Sequence, residues 1–125
     1  MFLNSLYKIV NKTSSPGGFL ITVRLMEDHQ IYRAHFPGNP ITPGACLVEM
    51  ARELVSVVLE KEFMLEKADN IKFLRGIYPG ETPLVVFRMQ IDQLEEKKWK
   101  IRTEVLDGDN IMTKMTLCLQ ETISV

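Results

Sequence analysis

The feature that most constrains this chain is one run of helical period set among segments of period two. In "TPGACLVEMARELVSVVLEKEF", residues 42–63, Leu47, Met50, Ala51, Leu54, Val55 and Val58 recur at the spacing of one helical face. Val48, Val57 and Leu59 widen that face, so the helix is predicted to be mostly buried. Thr42 is the predicted N-cap, Pro43 the first helical position and Phe63 the approximate end.

The remaining chain alternates. "SLYKIVNK" reads as a first strand closed by a turn at "SSPGG". "FLITVRLME" sets Phe19, Ile21, Val23 and Leu25 against Leu20, Thr22, Arg24 and Met26, the pattern of a strand with one face more buried. "IYRAHF" is predicted to be short and extended, ended by Pro37. After the helix, "NIKFLRGIY", "PLVVFRMQID", "KWKIRTEVLD" and "IMTKMTLCLQET" read as strands, the last two joined by a tight turn at "GDN". Strands, one helix and four more strands exclude the alternating order of a parallel doubly wound sheet. The predicted class is α+β, an antiparallel sheet of about six strands wrapped around one long central helix. No linker or repeat divides the chain, and residues 1–125 are read as a single domain.

A formal charge of −1 carries no strong field toward nucleic acid or an anionic membrane. No apolar stretch approaches the roughly 20 residues of a membrane span. "MFLNSLYKIVNK" lacks the basic head and apolar run of a secretory leader, and Cys46 and Cys118 form no CxxC, so a reducing, cytoplasmic setting is expected. Two histidines and two scattered cysteines make a poor ligand set, and no metal or redox cofactor is expected.

The passage "HFPGNPITPG", residues 35–44, leads directly into the helix. A helix start exposes unpaired N–H groups, and Gly44 in the first turn would let a ligand oxygen approach the backbone closely, which makes its N–H a candidate oxyanion donor. Many helices begin with Pro-Gly for structural reasons alone, and local grammar favours that reading. Glu49 is the only charge in "ACLVEMA"; an acid surrounded by apolar groups suits proton transfer. Glu49, Arg52, Glu53, Ser56 and Glu60 also fit one polar stripe, and periodicity favours such a solvated face. An imidazole ordinarily titrates near neutrality, which makes His35 a natural candidate base, whereas His29 in "MEDHQ" reads as a surface residue. Together, a histidine, a stiff loop, a glycine at a helix start and an acid beyond it form a support for acid–base chemistry.

These residues resemble a known signature. "HFPGNPITPGACLVEMA" is similar to the active-site motif of the FabZ/FabA-type 3-hydroxyacyl-[acyl-carrier-protein] dehydratases, in which a histidine opens HFPGxPxxPG and an acid follows on the central helix, here at a separation of 14 residues. "IKFLRGIYPGETPL" resembles a second segment of that family. The resemblance implies the hotdog fold, with His35 and Glu49 catalytic and with Gly44, Phe36, Pro43 and Ala45 binding substrate. It further implies dehydration of a (3R)-3-hydroxyacyl chain on an acyl carrier protein, and a homodimer, or a hexamer built as a trimer of dimers, with His35 and Glu49 meeting across the subunit boundary. An acidic carrier would need a basic dock, for which Arg33, Lys72 and Arg75 are candidates. Where the family has a leader resembling LPHRxPFLLVDR this chain has "MFLNSLYKIVNKTSS"; Ala34 and Asn39 replace the more usual Gly and His, and neither change removes a catalytic group. Two other classes share parts of this pattern, a hotdog acyl thioesterase and a non-catalytic acyl-binding subunit. Cys46 is read as a small buried thiol, not a nucleophile.

Overall fold

The structure, a computed structural model, describes residues 1–34 and 37–122. Six strands form one antiparallel sheet: β1 Tyr7–Ser15, β2 Gly18–Leu25, β3 Phe63–Phe73, β4 Leu84–Glu95, β5 Lys98–Asp107 and β6 Asn110–Glu121. Their spatial order is β1-β2-β4-β5-β6-β3, with β1 and β3 at the edges. Two helices interrupt the strands, α1 Gln30–Ala34 and α2 Gly44–Leu59.

Period-two patterning places Ile21 and Val23, Phe87 and Met89, and Leu117 and Leu119 on the inner face, all at most 1% exposed. Leu47, Met50, Ala51, Leu54 and Val55 of α2 complete the same core. The expected helical face is therefore the buried one, with Val58 only half-buried at its end. Two tight turns depend on glycine. Gly17 between β1 and β2 has φ +76°, and a Cβ on the following Gly18 would lie 1.7 Å from the Met89 carbonyl oxygen. Gly108 (φ +58°) lies in the turn from β5 to β6, where Asp107 pairs with Asn110.

Four local expectations are corrected. The described part of "IYRAHF" is helical, because the His29 carbonyl accepts the Tyr32 N–H (3.0 to 3.1 Å contacts run through this turn) and His29 Nδ1 accepts the Ile31 N–H. Thr42 is not the cap of α2. Pro43 holds that position in an extended conformation, while Thr42 is buried, donates its N–H to the Ile77 carbonyl and shares a 2.9 Å hydrogen bond with the Tyr32 hydroxyl. The helix stops at Leu59, not near Phe63: Glu60 turns left-handed (φ 54°) and the Lys61 N–H closes onto the Ser56 carbonyl. The third strand accordingly begins at Phe63 and ends at Phe73, before "LRGIY".

A buried carboxylate ties the start of the chain to α2. Glu53 is fully buried, not on a solvated stripe as periodicity suggested. Its Oε2 accepts the Phe2 N–H (2.9 Å), and its Oε1 accepts the Leu3 N–H (2.8 Å) and the Tyr7 hydroxyl (3.0 Å). Burial, with the Glu53 charge beside it, pushes the Tyr7 phenol far above its ordinary range, so it serves as a permanent donor. Glu53→Gln keeps the shape but turns one accepting oxygen into an NH₂ that must face a backbone N–H. It is expected to cost about 1–3 kcal/mol in chemical denaturation. Alkaline stability gives a second check. The folded phenol keeps its proton when the unfolded one, near 10.0, loses it, so stability falls as pH rises above that value. Tyr7→Phe, though less stable at neutral pH, should show a shallower alkaline decline.

Candidate active site

The first turn of α2 opens at the rim of the sheet. Helical bonding begins with the Cys46 N–H on the Pro43 carbonyl (3.0 Å), and among the described residues no backbone carbonyl takes the Gly44 or Ala45 N–H. Beside this start lies a cleft of about 400 Å³. Pro43, Gly44 and Leu47 line it from α2, and Phe73, Arg75 and Ile77 from the end of β3 and the segment after it. Its walls are mainly apolar side chains and backbone, with unpaired N–H groups at one end, an arrangement that suits an apolar chain bearing a polarisable oxygen.

Phe73 sits over Gly44 so closely that a Cβ on residue 44 would lie 2.3 Å from the far tip of the ring. Only glycine lets ring and helix start share this space. The ring is 55% exposed and has room to swing aside.

The sequence-predicted residues are placed unequally. Pro43 and Gly44 line the cleft, whereas Ala45 is exposed and lies off its lining. His35 and Phe36 lie outside the described residues. The ends of the segment that carries them are nevertheless tied together, because Tyr32 in α1 and Thr42 before α2 are both buried and hydrogen-bonded to each other. Burial raises the Tyr32 phenol above its ordinary value. Sequence reasoning gave Tyr32 no role; a tyrosine five residues before Pro37 is a weak signal, and its partner is ten positions away.

Glu49 lies five residues beyond Gly44, in a setting different from the apolar one expected. Its carboxylate is 40% exposed and paired with Arg52, whose Nε donates to both oxygens at 3.1 Å. Arg52 is held above its ordinary value chiefly by this bond to Glu49. Cys46 is buried, and desolvation pushes its thiol up, which disfavours thiolate chemistry. Among the described residues no group of three His, Cys, Asp or Glu side chains is placed to hold a metal, and no helix is long and apolar enough to cross a membrane.

Of the basic residues considered for docking, Arg33 is exposed on α1 and Arg75 stands at the cleft. Lys72 instead joins Arg88, Arg102, Glu104 and Lys114 in a second cleft of about 540 Å³ on the outer face of the sheet. That face is larger but chemically self-contained: Arg88 pairs with Glu104 at 2.6 Å and Lys114 approaches the same carboxylate at 4.0 Å. Paired charges, with Met115 and Thr103 between them, line this cleft, and no helix start opens into it.

One helix held in the curve of a six-stranded antiparallel sheet, its N-terminus open to a cleft at the rim, defines a hotdog-fold domain. The dehydratase heterocomplex ApeI:P from Xenorhabdus doucetiae shares this fold with a TM-score of 0.71 at 15% identity, over 90% of this chain and 96% of that one. A hypothetical thioesterase from Streptococcus pneumoniae TIGR4, solved with coenzyme A, shares it with a TM-score of 0.65 at 10% identity, over 93% and 85%. The chain belongs to the ApeI-like family, described as ApeI dehydratase, whose model matches residues 11–114. Similar proteins include the 3-hydroxyacyl-[acyl-carrier-protein] dehydratase FabZ of Rickettsia africae, 32% identical over 82 residues, 59% of this chain and 55% of that protein. FabZ of Rickettsia conorii is 30% identical over 91 residues, 66% of this chain and 61% of that protein. The chain therefore spans little more than half the length of these curated relatives.

Gly44→Ala tests the helix start. The exposed Phe73 ring can move, so the variant is expected to fold with a small change in thermal midpoint. An added methyl beside the free N–H groups should lower turnover by roughly 10²-fold, the scale for disturbing an oxyanion donor. Unchanged turnover in the folded variant would remove Gly44 from the site.

Proposed function

We propose that the protein dehydrates a (3R)-3-hydroxyacyl thioester, carried on an acyl carrier protein, to the trans-2-enoyl thioester. The observation that carries this reading is the Gly44 N–H, which no backbone carbonyl among the described residues takes, at a mainly apolar cleft, with a carboxylate further along the same helix. FabZ relatives and family membership support it. The thioester carbonyl would accept the Gly44 N–H, and the helix dipole would favour the negative charge that builds on its oxygen as the C2–H bond breaks. His35 would take the C2 proton. The electron pair forms the C2=C3 bond, and the C3 hydroxyl leaves as water with a proton supplied from or through Glu49. No redox cofactor is required for this balance.

The working unit is proposed to be a dimer of this chain or a larger assembly of such dimers. Edge strand β3 and the residues after it expose Met64, Leu65, Phe73 and Leu74, between 38% and 55% each. Such apolar side chains along an unpaired strand edge are suited to cover by a second copy. A relative solved as a heterocomplex makes a different partner chain the competing arrangement.

Thioester hydrolysis is the rival activity, since the same helix start would polarise the same carbonyl and a carboxylate would activate water. Incubation with 3-hydroxyacyl and saturated acyl thioesters separates the two. The expected result is enoyl product without free thiol; thiol release without enoyl product would assign a thioesterase, and neither would assign a binding subunit. His35→Ala and Glu49→Gln are each expected to lower water loss about 10²-fold or more. If the two groups meet across subunits, mixing the two inactive variants should recover part of the activity through heterodimers with one intact pair.

A further inference from the structure

We propose that Arg52 is a positioning residue that clamps the Glu49 carboxylate to the start of β3. The inference rests on the dehydratase reading for its consequence in turnover, but the clamp itself stands on geometry. Arg52 Nε donates to both Glu49 oxygens at 3.1 Å, and Nη2 closes onto Oε1. Nη1 turns the other way and donates to the Phe63 carbonyl at 2.9 Å. That carbonyl is an immobile anchor, because Phe63 is 3% exposed, packs edge-on against Trp99 and pairs with Glu121 in β6. One planar guanidinium thus spans a partly exposed helix side chain and a buried residue of the sheet.

Two features separate this arrangement from an ordinary surface ion pair. Exposed pairs three residues apart on a helix contribute little to stability, and Glu49 at 40% exposure is such a residue. Arg52 at 23% is not, and its bond to the Phe63 carbonyl fixes the plane in which the carboxylate must lie. Among the described residues the other carboxylate acting on Arg52 is that of Glu53, which already accepts from Phe2, Leu3 and Tyr7 and makes no hydrogen bond to Arg52. Arg52 is therefore committed to Glu49. The carboxylate keeps lone pairs on the side away from the guanidinium, where they can meet a substrate hydroxyl or a water in one fixed orientation.

The test is a double-mutant cycle with a structural arm. Arg52→Ala should lower kcat for water loss about 10-fold to 100-fold with KM changed less than about twofold, since orientation and not binding is lost. Arg52→Lys should recover little, because an ammonium cannot make the two-sided planar contact. Added guanidinium should restore part of the activity of Arg52→Ala. In a Glu49→Gln background, Arg52→Ala should change residual kcat less than about twofold. An equal fractional loss in both backgrounds would show that Arg52 does not act through Glu49. Crystal structures supply the arm independent of activity: one Glu49 rotamer in the parent protein and several in Arg52→Ala. A single unchanged rotamer there overturns the clamp whatever the reaction proves to be, whereas an ordered clamp in a protein that makes no enoyl product overturns only the dehydratase reading.

Discussion

Burial of the α2 face in the curve of the sheet is the interaction on which the rest of the structure depends. Leu47, Met50 and Leu54 insert among side chains from the inner face of the sheet and are at most 2% exposed. Each such side chain contributes about 1.5–3 kcal/mol relative to exposure, whereas a surface ion pair such as Lys67–Asp69 contributes about 0–1 kcal/mol. Once this face is seated, the axis and rotation of the helix are set. Its first turn then falls at the rim beside Phe73, with N–H groups that the sheet does not reach. The placement of the helix start beside the cleft is a by-product of how the middle of the helix packs.

The same seating gives two acids four positions apart opposite fates. Glu53 turns inward and is closed off by two backbone N–H groups and a phenol, which makes it a fastening for the residues before β1. Glu49 turns outward, is partly exposed and meets an arginine that is itself anchored to the sheet. Three donors fix the Glu53 carboxylate in one buried orientation. Glu49 retains an open side. The polar stripe seen in the periodicity is thus a series of separate environments, with Arg52 between the two acids and committed to one of them.

The hotdog fold also explains why family membership narrows the chemistry only to a point. A helix start that polarises a thioester carbonyl serves elimination, hydrolysis and simple binding alike. What distinguishes them is where a base and an acid stand relative to C2, C3 or a water. In the proposed reaction those groups are His35 and Glu49. Tyr32 and Thr42 hold together the ends of the segment carrying the histidine, and Arg52 orients the acid. Positioning is distributed over residues that do no chemistry themselves.

Periodicity alone determined the class of fold. A 3.6-residue period occurs once at length and a two-residue period everywhere else, and such patterns are set by local geometry. They placed the buried faces of β2 and α2 and the glycine turns at Gly17 and Gly108. The long motif from His35 to Glu49 marked the candidate site for the same reason, since its members lie close in sequence. What required the tertiary structure was every feature whose partners are distant along the chain. Tyr32 ends in a helical turn because its hydroxyl meets Thr42, and Phe63 opens a strand because β6 is there to pair with it. Glu53 is buried because donors about fifty residues earlier converge on it. Arg52 is anchored because the Phe63 carbonyl, eleven positions on, meets its Nη1. Hydrogen bonds and burial of this kind depend on which segments the fold brings together, and no local pattern encodes that meeting.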